Sequence, residues 1–111
     1  MNDPILKQAR LRQLVDERGL YLSANVFLAG RQLGRVWVFL KESQLCLAEL
    51  ELPAGLGAAL GTVDLRGARL SVRRALVPIS LSLDGPQGRC ELRGFRGAKQ
   101  FLAALEQLCG S

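Results

Sequence analysis

Histidine is absent from the sequence, and aromatic residues make up only 5% of it. Without histidine there is no Ser–His or Cys–His pair to activate a nucleophile and no imidazole to act as general base. Cysteine is sparse as well. Cys46, Cys90 and Cys109 are odd in number, far apart and each set in an apolar pattern, with no C-x-x-C. A zinc site has almost no ligands to draw on, and free, buried or half-buried thiols in a reducing compartment are expected. No stretch approaches the roughly 20 apolar residues that cross a bilayer. The N-terminal segment MNDPILKQARLRQLVDERG alternates charge with leucine and has no continuous apolar run, so no signal peptide is expected. The glycines of PAGLGAALG lack the Lys and Ser/Thr of a phosphate loop. Glu49 and Glu51 lie two apart on a strand and hence on one face, where such carboxylates more often solvate a sheet than catalyse. No enzyme, cofactor or metal is expected.

What is present is apolar material in quantity. Hydrophobic residues make up 49% of the 111, and mean hydropathy is +0.15, enough for one packed core in one domain. With so few aromatics, leucine and valine must build that core. Charge is uneven along the chain. Residues 1–64 carry seven basic and seven acidic side chains, whereas residues 65–111 carry eight and three, which gives the net +5. Twelve of the fifteen basic residues are arginine, a side chain suited to bidentate contact with phosphate or carboxylate.

Residues 4–18 read as a short helix, with Asp3 as cap, Pro4 in the first turn and Gly19 as stop. Asp16 and Glu17 oppose the helix dipole near its end, so that end is soft. From Gly19 the period becomes twofold, with Leu20, Leu22, Ala24, Val26 and Leu28 on one face. AGRQLG at 29–34 reads as a turn. RVWVFLK follows, apolar on both faces, as in a strand covered on both sides or near the sheet centre. After a turn at 41–44, QLCLAELEL alternates again. PAGLGAALG at 53–61 interrupts the strand rhythm and reads as the longest irregular segment.

In TVDLRGARLSVRR, Val63 and Leu65 face inward, Gly67 shifts the phase, and Arg69, Ser71 and Arg73 then face outward. Alternation puts Arg73 and Arg74 on opposite faces. VPISLSL sets Val77, Ile79, Leu81 and Leu83 against Pro78, Ser80, Ser82 and Asp84, and DGPQG forms a hairpin loop. RCELRGF buries Cys90 and Leu92 and presents Arg89, Glu91 and Arg93. AKQFLAALEQLC closes the chain as an amphipathic helix with Phe101, Leu102, Leu105 and Leu108 at helical spacing, ended by Gly110.

The expected fold is therefore mainly β: about seven antiparallel strands in a curled sheet or barrel, capped by one amphipathic C-terminal helix, with a short N-terminal helix. Hairpin-length connections exclude a parallel α/β sheet. In this order and spacing the chain resembles the pleckstrin-homology-like superfold, including its GRAM and bacterial relatives. RVWVFLKESQLCLAE is similar to the family's second and third strands, GTVDLRGARLSV to a strand–step–strand segment, and ISLSLDGPQGRCELRGFRGAKQFLAALEQL to its closing hairpin and helix. The resemblance covers residues 20–108 and divides the chain into an N-terminal helical segment, 1–18, and a domain, 19–111. It implies a scaffold that binds rather than catalyses. Phe101 stands where eukaryotic members carry a helical Trp. Members that bind phosphoinositides usually have a lysine and then a basic-x-Arg triplet across the first two strands. The matching stretch ANVFLAGRQLGRVW has only Arg31 and Arg35.

The expected function is protein–protein interaction, as an adaptor or by self-association, with Leu33, Trp37 and Phe39 as candidate partner contacts. The alternative is weak, peripheral binding to anionic lipid headgroups. An anionic headgroup or an acidic partner would meet Arg31, Arg35, Arg66, Arg69 and Arg73. Basic residues near an anionic surface each contribute roughly 1 kcal/mol. Nucleic acid is not expected, because the arginine-rich stretches 66–74 and 89–96 contain only Phe95 for stacking. A cytoplasmic location follows from these readings.

Overall fold

A computed structural model of the chain describes residues 3–52, 55–73, 79–86, 88–95 and 98–109. Pro53, Arg74, Val77, Pro78, Arg96 and Gly110, to which the sequence gives roles, lie outside the described residues. The chain is mainly β. In order it forms α1 (Pro4–Leu11), β1 (Tyr21–Leu28), β2 (Arg31–Lys41), β3 (Gln44–Glu51), β4 (Gly55–Asp64), β5 (Arg69–Arg73), β6 (Ile79–Gly85), β7 (Gly88–Phe95) and α2 (Lys99–Leu108). The seven strands make one antiparallel sheet in the order β4-β3-β2-β1-β7-β6-β5. Laid flat, it would be about 29 Å wide at the usual strand spacing of roughly 4.8 Å. Instead, residues from both edges, Val63 of β4 with Leu70 and Val72 of β5, meet one core. The sheet is curled and left open between β4 and β5.

Twofold alternation builds this core. Ala24, Val26, Val36, Val38, Leu45, Leu47, Leu81, Leu83 and Leu92 point inward, and the apolar face of α2 joins them through Phe101, Leu102 and Leu105. A second, smaller cluster lies on the opposite face of the sheet. There α1 lays Ile5 and Ala9 over Phe39, Cys46, Ala48 and Leu56, with Tyr21 and Trp37 at the margin. The two-faced apolarity of β2 thus has a plain cause: Val36, Val38 and Leu40 face the main core while Trp37 and Phe39 lie beneath α1. All three cysteines are free and buried.

Three expectations are corrected. The helix predicted over 4–18 ends at Leu11, and Gln13 turns back with φ 57°. Residues 12–20 are instead stitched to the β2–β3 hairpin. Lys41 Nζ donates to the Gln13 carbonyl at 2.7 Å, and the Asp16 carboxylate accepts from the Glu42 amide at 2.7 Å. The turn read over 29–34 is only Ala29–Gly30, with φ of 50° and 82°. That pair of positive angles matches strand twist in a two-residue hairpin, and the remaining residues join β2 with Leu33 bulged between the Val26–Gly34 and Phe27–Gln32 pairs. Most of the irregular segment read at 53–61 is the edge strand β4, which pairs with β3 from Gly55 onward through two register shifts. Its glycines mark bulges and close approach: a Cβ on Gly57 would sit 2.9 Å from Glu49 Cβ.

Candidate functional site

The outer face of the sheet is divided in two. Over β2–β4 it is covered by α1. Over β5, β6 and β7 it is polar and open, and the register arranges it in rows. One row runs Arg35, Asn25, Arg93, Ser80, Arg73 from β2 across to β5. The next runs Gln32, Phe27, Glu91, Ser82, Ser71, and a third pairs Arg89, Asp84 and Arg69. A concavity of about 680 Å³ lies over these rows, with Ser71, Ser80 and Ser82 on its floor and Arg73, Arg89 and Arg93 around it. Strand surfaces are more usually filled by β-branched or aromatic side chains. Serines in adjacent rows leave a depression in their place.

The charges are partly tethered. Glu91 accepts from Arg93 Nη2 at 2.8 Å and lies 3.2 Å from Arg89 Nε. The Arg93 guanidinium lies over the Phe27 ring, 4.8 Å from its centroid, a cation–π contact that holds its plane. Arg35 Nη2 donates to the Gly94 carbonyl at 3.1 Å, where a bulge with φ 74° turns that carbonyl outward. Arg73 makes no ion pair among the described residues. Ser82 is only 9% exposed, the single polar residue of the described set that is buried. The hydroxyls of Ser71, Ser80 and Ser82 enter none of the side-chain hydrogen bonds among the described residues. The face therefore offers cationic forks and free hydroxyl donors, with Asp84 and Glu91 as the only lining carboxylates among the described residues.

The candidate residues read from sequence separate into groups. Arg35, Arg69 and Arg73 fall on this outer face, in the first and third rows. Arg31 stands beside Leu28, on the phase of the core-facing residues at the mouth of the first hairpin. Arg66 is engaged locally, its amide and guanidinium both donating to Asp64 in the β4–β5 turn. The five arginines do not form one cluster beside the first loop. Of the partner candidates, Phe39 is fully enclosed and presents no surface. Trp37 is half-buried, its indole N–H donating to the Gly55 carbonyl at 2.9 Å, and Leu33 packs against the main core. Both aromatics serve the α1 interface with Tyr21, which stacks on Phe39 at 5.5 Å and meets Trp37 edge-on at 5.8 Å.

Not selected from sequence were Ser71, Ser80, Ser82, Arg89 and Arg93 as parts of one site. Alternation does assign each to the outer face, but only the register shows that Arg93 and Arg73 flank the same serine. Among the described residues, no group of three or more acidic or cysteine side chains is placed to hold a metal ion. No helix among them is long and apolar enough to cross a membrane. Comparison with protein-family models, with curated proteins and with solved structures finds no match for the chain.

Proposed function

We propose that the chain is a non-catalytic binding module that holds an anionic segment of a protein partner on the outer face of β5–β7. One observation carries this reading. Arginines and unengaged serine hydroxyls from three adjacent strands converge on one concavity, where the donors of Arg73, Arg89, Arg93, Ser71, Ser80 and Ser82 outnumber what its two lining carboxylates, Asp84 and Glu91, accept. Charge-assisted hydrogen bonds to such an acceptor contribute about 1.5–3 kcal/mol each, more than solvated surface pairs do. Support for the pleckstrin-homology-like scaffold comes from the strand order β4-β3-β2-β1-β7-β6-β5 and the helix that follows its last strand.

Peripheral lipid binding is the less favoured alternative. A bilayer surface is best met by cations grouped around a loop with apolar side chains among them. Here Arg31 and Arg66 lie apart from the concavity. The test is fluorescence anisotropy with a labelled hexaglutamate peptide at low and high salt. Binding that weakens with salt, and falls at least tenfold in Arg73→Glu/Arg93→Glu, is the expected result. Binding unaffected by the double variant removes the reading.

A further inference from the structure

We infer that the concavity is a subsite for a phosphate monoester carried on a side chain of the partner protein; this rests on the binding role proposed above and specifies its ligand. The register sets the geometry. Arg73 and Arg93 flank Ser80 in one row, two strand spacings or about 10 Å apart at the backbone, with Ser71 and Ser82 in the row beside it. Donors therefore approach one point from two sides and from the floor. A planar carboxylate is satisfied by a single guanidinium fork. A tetrahedral phosphate, with three terminal oxygens, uses donors from all three directions.

Ser82 is the most specific observation. It lines the concavity and is nine-tenths buried, yet its hydroxyl has no side-chain partner among the described residues. Among the described residues no buried side-chain polar atom lacks a partner, so the Ser82 oxygen reaches the open concavity, where it can donate to an acceptor that arrives from outside. The charges agree. Glu91 serves both Arg89 and Arg93, so it can keep the first while the second turns to a ligand, and Phe27 maintains the plane of the Arg93 guanidinium. Arg73 is uncommitted.

A protein-borne phosphate is favoured over a membrane headgroup by what surrounds the site. Among the described residues, the large apolar side chains that are exposed, Leu11, Leu52 and Leu60, all lie on the α1 and β3–β4 side of the molecule. None of these three rims the concavity.

The test measures affinity of the full chain for a phosphoserine peptide, for its glutamate twin, for inorganic phosphate and for phosphatidylcholine vesicles containing a phosphoinositide. The phosphopeptide is expected to bind about tenfold or more tighter than the twin. That advantage should grow from pH 5 to pH 7, because the second ionisation of a phosphate monoester lies near pH 6. The groups facing the ligand are Arg73, Asp84, Arg89, Glu91 and Arg93, and the chain has no histidine to titrate in that range. Ser82→Ala should weaken phosphopeptide binding about fivefold, the size of one hydrogen bond, and leave the weaker glutamate peptide unaffected. Arg73→Gln, at an exposed position that carries no fold, should weaken both peptides. Equal affinity for the two peptides at both pH values overturns the phosphate subsite and leaves the binding role standing. Binding of neither peptide overturns both, and binding to vesicles without binding to the phosphopeptide assigns the phosphate to lipid and overturns the protein-borne source.

Discussion

Asp16 ties its own turn, residues 16–18, to the β2–β3 hairpin. Its carboxylate accepts from the Arg18 amide at 3.0 Å, from Arg18 Nη2 at 2.6 Å and from the Glu42 amide at 2.7 Å. The Arg18 hydrogen bond, followed by those backbone donors, lowers its pKa to about 2. The folded-state value lies below the ordinary 3.8, so the contribution is present above about pH 4 and lost as pH falls through about 2. It is worth roughly 2 kcal/mol. Asp16→Asn should lose most of that at pH 7, and its stability should change less between pH 4 and pH 2 in urea titrations. Tyr21 shows the opposite sign. Burial, then its 2.6 Å hydrogen bond to Asp3, pushes its pKa up to about 12. The neutral phenol is the form the fold holds, so its contribution is complete below about pH 10 and lost as pH rises toward 12. As Tyr21 is the only tyrosine, absorbance at alkaline pH reads it directly. The midpoint should lie near 12 in the folded chain and return to about 10 in urea.

At the scale of elements, β4 is where local pattern and structure diverge most. Three glycines in nine residues resemble a loop, yet the strand needs them. Gly57 passes so close to β3 that a Cβ would meet Glu49 Cβ at 2.9 Å and the Glu49 carbonyl at 3.1 Å, and its own carbonyl accepts from Arg12 at 2.8 Å. Gly57→Ala should therefore destabilise the chain by about 1–3 kcal/mol. Chemical denaturation checks it, and a neutral result would mean that the β3–β4 bulge yields freely. Helix α1 diverges for a related reason. Its end is set by the bonds of Gln13 and Asp16 to a distant hairpin, which no local propensity encodes. By contrast β6, β7 and α2 were legible, since alternation or helical spacing alone fixes their buried sides. Alternation placed Arg73, Ser80 and Arg93 on the outer face but not in one row, because register depends on pairing between strands far apart in sequence.

For the molecule as a whole, the two halves of the sheet use their outer faces differently. The N-terminal half spends its outer face on a second apolar cluster under α1, which encloses Phe39 and half-buries Trp37. The C-terminal half keeps its outer face polar and open. The charge imbalance of the sequence, neutral to residue 64 and basic thereafter, follows this division. Association with an anionic segment should therefore be steered by salt-sensitive attraction toward one side of the molecule. The measurement that tests this most directly is a ¹H–¹⁵N spectrum of the labelled chain titrated with the phosphoserine peptide. Shifts should concentrate on the amides of Ser71, Arg73, Ser80, Ser82 and residues 89–93. Shifts centred instead on Gly30 and Arg31, on the β4 edge, or on none of these strands would contradict the assignment of the outer face of β5–β7 as the binding surface.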